Sequence, residues 1–129
     1  MPEAAPAIPT VIVLADDLIW ATRLSDAIVA AGGVARRARR MADLDRLLAE
    51  SGDGNADARF AIVDLTARAY DGVAAIRAAV DVGARVVAVG QHDDVQLRKA
   101  ALEAGAERVF TYRALFENGP RTLAAWLAG

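Results

Sequence analysis

Three short runs of apolar, mostly β-branched residues place the strongest constraint on the fold of this 129-residue chain. They cover residues 11–15, 60–63 and 86–89, and none of them alternates polar with apolar positions. Unbroken runs of this length are typical of parallel strands that are covered on both faces. Residues 34–40 and 108–112 are weaker strand candidates. We therefore expect a parallel sheet of five strands.

Helical patterns separate these runs. Apolar residues recur at helical spacing after each strand, and most of these segments stop at a glycine that is able to cap a helix. We expect helices over residues 20–31, 41–48, 73–80 and 94–104, and a last helix that begins at Pro120 and buries Leu123, Trp126 and Leu127. Right-handed crossovers then give a doubly wound α/β fold, (βα)5, with strand order 2-1-3-4-5.

The domain organisation follows from the same pass along the chain. Residues 1–9 contain three prolines and are predicted to be a flexible N-terminal lead-in. Residues 10–129 are predicted to form a single domain, with an exposed loop over residues 51–55. No apolar run approaches the ~18 residues of a membrane span, so we expect no membrane contact and a cytoplasmic protein.

Composition excludes several classes of function. The chain has 15 basic and 17 acidic residues and a net charge of −2, which argues against a general nucleic-acid binder. The absence of cysteine excludes a thiolate nucleophile and a cysteine-ligated metal. The single histidine, His92, excludes a polyhistidine zinc site, and we interpret it as a loop residue before a helix capped by Asp93.

Acidic residues follow two of the predicted strands. Asp16 and Asp17 close the first strand and Asp64 closes the third, and these strands are neighbours in the predicted order. Each aspartate alone could simply cap a helix. If they converge, two carboxylates ~5 Å apart repel by about 3 kcal/mol at an effective dielectric constant of 20. A proton, an arginine or a hard divalent cation would relieve this repulsion, and among metals Mg²⁺ fits carboxylate oxygens best.

These landmarks resemble the response-regulator receiver domain of two-component signalling, a flavodoxin-like fold. The acidic pair and Asp64 match the family pattern, as do Asp71-Gly72 and Gly105-Ala106, which keep their spacing. The resemblance covers about residues 10–128 and implies that Asp64 is the phosphoryl acceptor. It further implies that Asp17, Asp64 and the backbone carbonyl of Thr66 bind Mg²⁺ directly, and that Asp16 acts through a water.

Four positions depart from the family pattern. The Ser or Thr that closes strand four falls on Gly90, the lysine that closes strand five falls on Tyr112, and the following proline falls on Arg113. The only lysine, Lys99, lies within the fourth helical segment, and the aromatic residue usual in strand five is replaced by Val109. Whether Arg113 replaces the lysine is left open. We therefore do not expect phosphorylation to switch this domain.

Two further clusters have alternative interpretations. Leu18, Ile19 and Trp20 follow Asp17: either Trp20 packs against the last helix, on Trp126, or the three form an apolar docking rim beside the crevice. Four arginines on or after strand two either protect an edge strand from aggregation or meet an anionic partner; they are Arg36, Arg37, Arg39 and Arg40.

The sequence therefore favours a stand-alone, degenerate receiver-like domain that acts as a signalling protein-interaction module without catalytic turnover of its own. Its partner would be a histidine kinase, a phosphotransfer protein or a downstream effector, and homodimer formation is left open. The first alternative is a conventional response regulator that a histidine kinase phosphorylates on Asp64 with Mg²⁺, at most with self-phosphorylation from a small donor. The second is a small-molecule-binding flavodoxin-like domain, which rests on fold analogy alone.

Overall fold

The computed structural model describes residues 8–50 and 59–129, in which strands and helices alternate. The elements are β1 (Thr10–Leu14), α1 (Leu18–Ala30), β2 (Val34–Ala38), α2 (Met41–Glu50), β3 (Phe60–Asp64), α3 (Gly72–Asp81), β4 (Arg85–Gly90), α4 (Val95–Glu103), β5 (Val109–Thr111) and α5 (Tyr112–Ala128). Most of the predicted lead-in and the loop predicted over residues 51–55 lie outside the described residues.

The strands form one parallel sheet in the order β2-β1-β3-β4-β5, which confirms the predicted fold. The unbroken apolar runs became β1, β3 and β4, which lie in the middle of the sheet and are almost wholly buried. The weaker candidates became the edge strands β2 and β5. Strands β1 and β3 are direct neighbours, so the ends that carry the aspartates lie side by side.

Each face of the sheet has its own apolar core. On one face α2, α3 and α4 cover alternate strand residues such as Ile12, Leu14 and Val63, together with Ile76 of α3. On the other face α1 and α5 cover the intervening residues, and Leu123 of α5 is fully buried there. Burial on both faces explains why the central strands carry apolar side chains at successive positions.

Helix α5 differs from its prediction. It begins at Tyr112, where Thr111 Oγ1 accepts a hydrogen bond from the Ala114 backbone N–H at 3.1 Å, so a helical segment that was not predicted precedes Pro120. Asn118 has non-helical backbone angles (φ −139°, ψ 29°), and Pro120 lies just beyond this kink. The proline therefore marks the second half of a 17-residue helix. Within the described ranges, no helix is long and apolar enough to cross a membrane.

Three helices begin with an aspartate cap that lies close to the carboxyl edge of the sheet. The side chains of Asp17, Asp71 and Asp94 each accept a hydrogen bond from the backbone N–H three residues later, at 3.1 Å. The cap of α4 is Asp94, so the prediction that Asp93 caps this helix is wrong. These caps satisfy backbone donors that a helix leaves unpaired at its start, and they fix where each loop leaves its strand.

Candidate acceptor site

A crevice of about 520 Å³ opens at the carboxyl edge of β1 and β3. It collects most of the residues that the sequence singled out, although they come from four different loops. Its lining residues are Asp16, Asp17, Trp20, Asp64, Thr66, Arg68, Gln91 and Tyr112. The convergence expected from the strand order is therefore present in the fold.

Asp64 is the most deeply placed of these residues. Its side chain ends β3, and the residue is only 1% exposed. One carboxylate oxygen, Oδ1, accepts hydrogen bonds from the Thr66 backbone N–H at 3.0 Å and from Thr66 Oγ1 at 2.9 Å. The Tyr112 hydroxyl donates to the same oxygen. Three donors from this chain thus satisfy a single buried oxygen.

Tyr112 occupies the position where the family pattern has its lysine. It is the first residue of α5, and its hydroxyl also contacts Thr66 Oγ1. Burial and the hydrogen bond to Asp64 raise the pKa of the Tyr112 phenol above its usual range. The hydroxyl therefore keeps its proton and contacts Asp64 as a neutral donor, whereas a lysine would bring a positive charge.

Asp16 and Asp17 are both engaged by backbone amides. Asp16 Oδ2 accepts hydrogen bonds from the N–H groups of Arg68 and Ala69, at 2.9 and 3.0 Å, and so holds the loop that follows β3. Asp17 Oδ1 caps α1 through the Trp20 N–H. The reading of one aspartate as a helix cap thus holds for Asp17, and Asp16 has a different structural role.

The crevice as it stands does not present a ready set of metal ligands. Among residues 8–50 and 59–129, no three acidic or histidine side chains are grouped so that they could hold a metal ion. One oxygen of each aspartate is already engaged, and Asp64 Oδ1 is covered by a phenol. Thr66 contacts Asp64 through its amide and hydroxyl. The roles of these four residues in Mg²⁺ binding, including that of the Thr66 carbonyl, stay predictions.

Gly90 closes β4 at the position of the family's hydroxyl residue, and a neighbouring side chain fills the space beside it. A Cβ at Gly90 would lie 3.3 Å from Leu65 Cδ1, and a Cβ at Gly72 would lie 3.1 Å from Leu65 Cδ2. The buried Leu65 side chain therefore packs between two glycines. The absence of a hydroxyl at residue 90 is thus matched by an apolar filling.

Arg113 does not take the place of the missing lysine. Its side chain is 86% exposed, and its Nε donates to Glu117 Oε1 at 3.0 Å, one turn along α5. It does not line the crevice, because α5 begins at Tyr112 and directs the next residue to solvent. Lys99 lies exposed on α4. In the part of the chain that the structure describes, no cationic side chain forms a salt bridge with the crevice aspartates.

Of the three residues of the predicted apolar rim, Trp20 packs against another ring, whereas Leu18 and Ile19 are exposed. The Trp20 ring lies against the Tyr112 ring, with centroids 4.3 Å apart, whereas Trp126 packs edge-on against Phe60. The predicted contact of Trp20 with Trp126 is therefore wrong, although Trp20 does contact the last helix through Tyr112. Leu18 and Ile19 remain 72% and 64% exposed.

The arginines of the β2 region hold mainly local contacts. Arg36 pairs with Glu50 at 3.2 Å, and Arg37 Nε donates to the buried Ser25 Oγ at 3.1 Å. The amides of Arg39 and Arg40 donate to Asp43. The side-chain contacts of Arg36 and Arg37 fit the edge-strand interpretation, whereas the contacts of Arg39 and Arg40 involve only their backbone amides. His92 is exposed in the loop after β4 and does not line the crevice.

Tyr70 is a structural residue of the site that no motif or pattern in the sequence indicates. Its buried hydroxyl lies 2.8 Å from the Leu14 carbonyl and 2.7 Å from the Asp64 carbonyl, so its single proton is shared between the ends of β1 and β3. Burial, reinforced by the charges of Asp64 and Asp16, raises the pKa of this phenol. Leu65 and the contact of Tyr112 with Asp64 were missed for the same reason, since no motif or periodicity marks them.

Comparison with solved structures finds the same architecture in bacterial signalling proteins. A response regulator from Thermotoga maritima superimposes with a TM-score of 0.76 at 16% identity, over 95% of this chain and 100% of that one. A putative response regulator from Chloroflexus aurantiacus gives 0.73 at 20% identity, over 95% and 100%. The chain has the fold of a response-regulator receiver domain. The resemblance read from the strand ends is thereby confirmed at the level of the fold.

A third receiver structure shows what this fold holds in another protein. It is a response regulator from Burkholderia pseudomallei with a phosphorylated aspartic acid, a calcium ion and citrate, with a TM-score of 0.64 at 20% identity, over 92% of this chain and 72% of that one. No family model matches this chain, and no curated protein matches it in sequence. At identities of 16–20% the receiver fold is established, and function has to be argued from the crevice.

Proposed function

We propose that this protein is a degenerate receiver domain that acts in signalling through contact with another protein, without a phosphorylation-driven switch. The observation that carries this proposal is the Tyr112 hydroxyl, which lies on Asp64 in the position of the family's lysine. Gly90 supports it, because no hydroxyl is present there for a phosphoryl group to recruit. The hydroxyl and the lysine that contact a phosphoryl group in the family pattern are therefore both missing, from residues 90 and 112.

Electrostatics favours the same conclusion. A phosphoryl group on Asp64 would carry about −1.5 to −2 charges in place of the single charge of the carboxylate, in a crevice that already holds Asp16 and Asp17. Charges of like sign at ~5 Å repel by about 3 kcal/mol at an effective dielectric constant of 20. Arg68 is the one cationic side chain among the described residues that line this crevice. Tyr112 stays neutral and does not offset the added charge.

The surface available for a partner lies beside the crevice. Leu18 and Ile19 at the start of α1 and Phe116 of α5 are 64–72% exposed, on either side of Trp20. Exposed apolar side chains grouped near one edge are a feature of protein-binding surfaces. We propose a signalling protein as the partner, in the cytoplasm: a histidine kinase, a phosphotransfer protein or a downstream effector. In this role the domain has no turnover of its own.

The alternative is a conventional response regulator in which Asp64 accepts a phosphoryl group with Mg²⁺. The related Burkholderia structure holds a phosphorylated aspartic acid and a calcium ion, and three aspartates line the crevice of this chain. Both proposals place Asp64 at the centre. They differ in whether Asp64 is phosphorylated.

Intact-mass measurement with a phosphodonor separates the two. Wild type and Asp64→Asn are incubated with Mg²⁺ and acetyl phosphate, beside a receiver domain that retains the lysine as a positive control for the donor. We expect no adduct on wild type above the Asp64→Asn background, because the carboxylate is held by Tyr112 and lacks a cationic partner. A phosphoryl adduct on wild type that is absent from Asp64→Asn would establish the conventional regulator instead.

A further inference from the structure

Two independent contacts hold the Tyr112 side chain in the crevice. Its hydroxyl is fixed between Asp64 and Thr66, and its ring lies against Trp20, with centroids 4.3 Å apart. The residue itself is the first of α5, whose start is fixed by the Thr111 cap. Backbone, ring and hydroxyl thus each restrain the phenol over the carboxylate.

The phenol takes up one side of Asp64. Oδ1 already accepts from the Thr66 amide and hydroxyl, and Tyr112 completes its surroundings. In a buried site a hydrogen bond to a charged acceptor is stronger than one between neutral groups. Any cation or electrophile that approaches through this oxygen therefore has to displace a group that belongs to the chain.

We infer that Tyr112 is the residue that determines what the Asp64 crevice accepts, because its phenol acts as a built-in occupant. Asp64 Oδ1 becomes available to a divalent cation or a phosphoryl donor only when this phenol leaves. Backbone amides already engage Asp16 and Asp17, and Tyr112 adds the group that covers Asp64 itself. The inference rests on the proposed function, because both concern the Asp64 crevice. It adds that Tyr112 is the residue that closes this crevice.

Departure of the phenol would also change the contacts of Trp20 and Arg23 with their neighbours. Trp20 contacts both the Tyr112 ring and the Arg23 guanidinium, whose Cζ lies 5.5 Å from the Trp20 ring centre and 4.9 Å from the Phe116 ring centre. These contacts join the crevice to the α1–α5 face. Trp20 fluorescence therefore reports directly on the position of Tyr112.

The test measures the midpoint of a Mg²⁺ titration by Trp20 fluorescence. All proteins carry Trp126→Phe, so that Trp20 is the only tryptophan of the chain. Tyr112→Phe removes the hydroxyl that covers Asp64. Arg113→Gln changes the neighbouring side chain of α5, which is 86% exposed and does not line the crevice, so it is the matched control. We expect the Mg²⁺ midpoint of Tyr112→Phe to fall at least tenfold below the parent, and that of Arg113→Gln to stay within twofold.

Equal midpoints for the parent and Tyr112→Phe would overturn the inference, whether binding is tight, weak or undetectable in both. Tyr112→Leu, which removes the ring as well, provides a second comparison if Tyr112→Phe folds poorly, and the same tenfold fall is expected. The two proposals fail separately. An Asp64-dependent adduct on wild type contradicts the proposed function, whereas matched Mg²⁺ midpoints contradict only the role of Tyr112.

Discussion

At the level of single residues, the crevice is defined by what replaces two missing groups. Tyr112 places a neutral hydroxyl where the family pattern has a cation, and the Leu65 side chain fills the space beside Gly90. Both replacements satisfy the residue they contact: Asp64 keeps three hydrogen bonds, and β4 keeps a packed end. The site is therefore a completed piece of structure as well as an altered acceptor.

Gly90→Ser tests the packing half of this account. A side chain at residue 90 would begin 3.3 Å from Leu65 Cδ1, which is closer than ordinary van der Waals contact. Because Leu65 is itself held against Gly72, it has little room to move. We expect Gly90→Ser to lower the free energy of unfolding by about 1–2 kcal/mol, measured by urea denaturation.

A double-mutant cycle identifies the cause. Leu65→Ala removes the side chain that meets residue 90, so Gly90→Ser should cost less in that background than in wild type. The same cost in both backgrounds would show that Leu65 is not the obstacle.

The sequence predicted this site unevenly, residue by residue. The convergence of Asp16, Asp17 and Asp64 followed from strand order, because the ends of neighbouring parallel strands have to lie together. The contact of Tyr112 with Asp64 did not follow, since it depends on where α5 begins and on the rotamer of one side chain. Leu65 was equally hidden, because a single leucine after a strand carries no distinctive signal.

At the level of secondary-structure elements, α5 shows that a strong local signal can locate only part of an element. Proline at the first position of a helix is a reliable preference, and it located the segment that follows the kink at Asn118. The segment before the kink, which begins at Tyr112 behind the Thr111 cap, has no comparable signal in the sequence. The strands and the other helices were predicted within a few residues, because their apolar patterns are long enough to fix their extent.

An ion pair joins β4 to the turn before β5, beside the backbone hydrogen bond from the Glu107 N–H to the Val86 carbonyl at 2.8 Å. Arg85 donates from Nε and Nη2 to Glu107 at 3.0 and 2.8 Å. This hydrogen bonding, partly opposed by burial, lowers the pKa of the Glu107 carboxyl below its ordinary 4.5. A group whose pKa is lowered by folding stabilises the protein above its unfolded pKa, and this contribution is lost as the pH falls through the folded value.

Glu107→Gln should therefore lower the free energy of unfolding at pH 7 by about 0.5–1 kcal/mol, a small value because both side chains are about a third exposed. It should also flatten the loss of stability on acidification below pH 4.5, the ordinary glutamate value. Urea denaturation between pH 3 and pH 7 measures both effects. Glu103→Gln is the control, because Glu103 forms no salt bridge within residues 8–50 and 59–129. Equal pH profiles for the two variants would show that the pair contributes nothing.

At the level of the whole molecule, the sheet with its two cores explains why the fold could be read from so few residues. Three buried runs specified the central strands, and short connections specified their order and direction. This frame fixes the crevice at one edge of the sheet and is shared with receiver domains at 16–20% identity. The frame does not specify which groups fill the crevice, and those groups decide whether the domain can switch.

The contact of the Asp64 carboxylate with Tyr112 therefore leads to one face of the sheet. Tyr112 and Trp20 connect the carboxylate with α1 and α5, while Gly90 offers no hydroxyl toward α4 and Val109 no aromatic ring in β5. A phosphoryl analogue is then not expected to reorganise α4 and β5. That absence of response is the central claim made for the domain as a whole.

The most direct test is the backbone amide NMR spectrum of the wild-type protein, recorded before and after addition of Mg²⁺ and beryllofluoride, a phosphoryl analogue. The account predicts that the amides of α4 and β5 keep their positions, with any change confined to the loops that line the crevice and to the residues near Trp20. A concerted shift of the α4 and β5 amides that is lost in Asp64→Asn would contradict it.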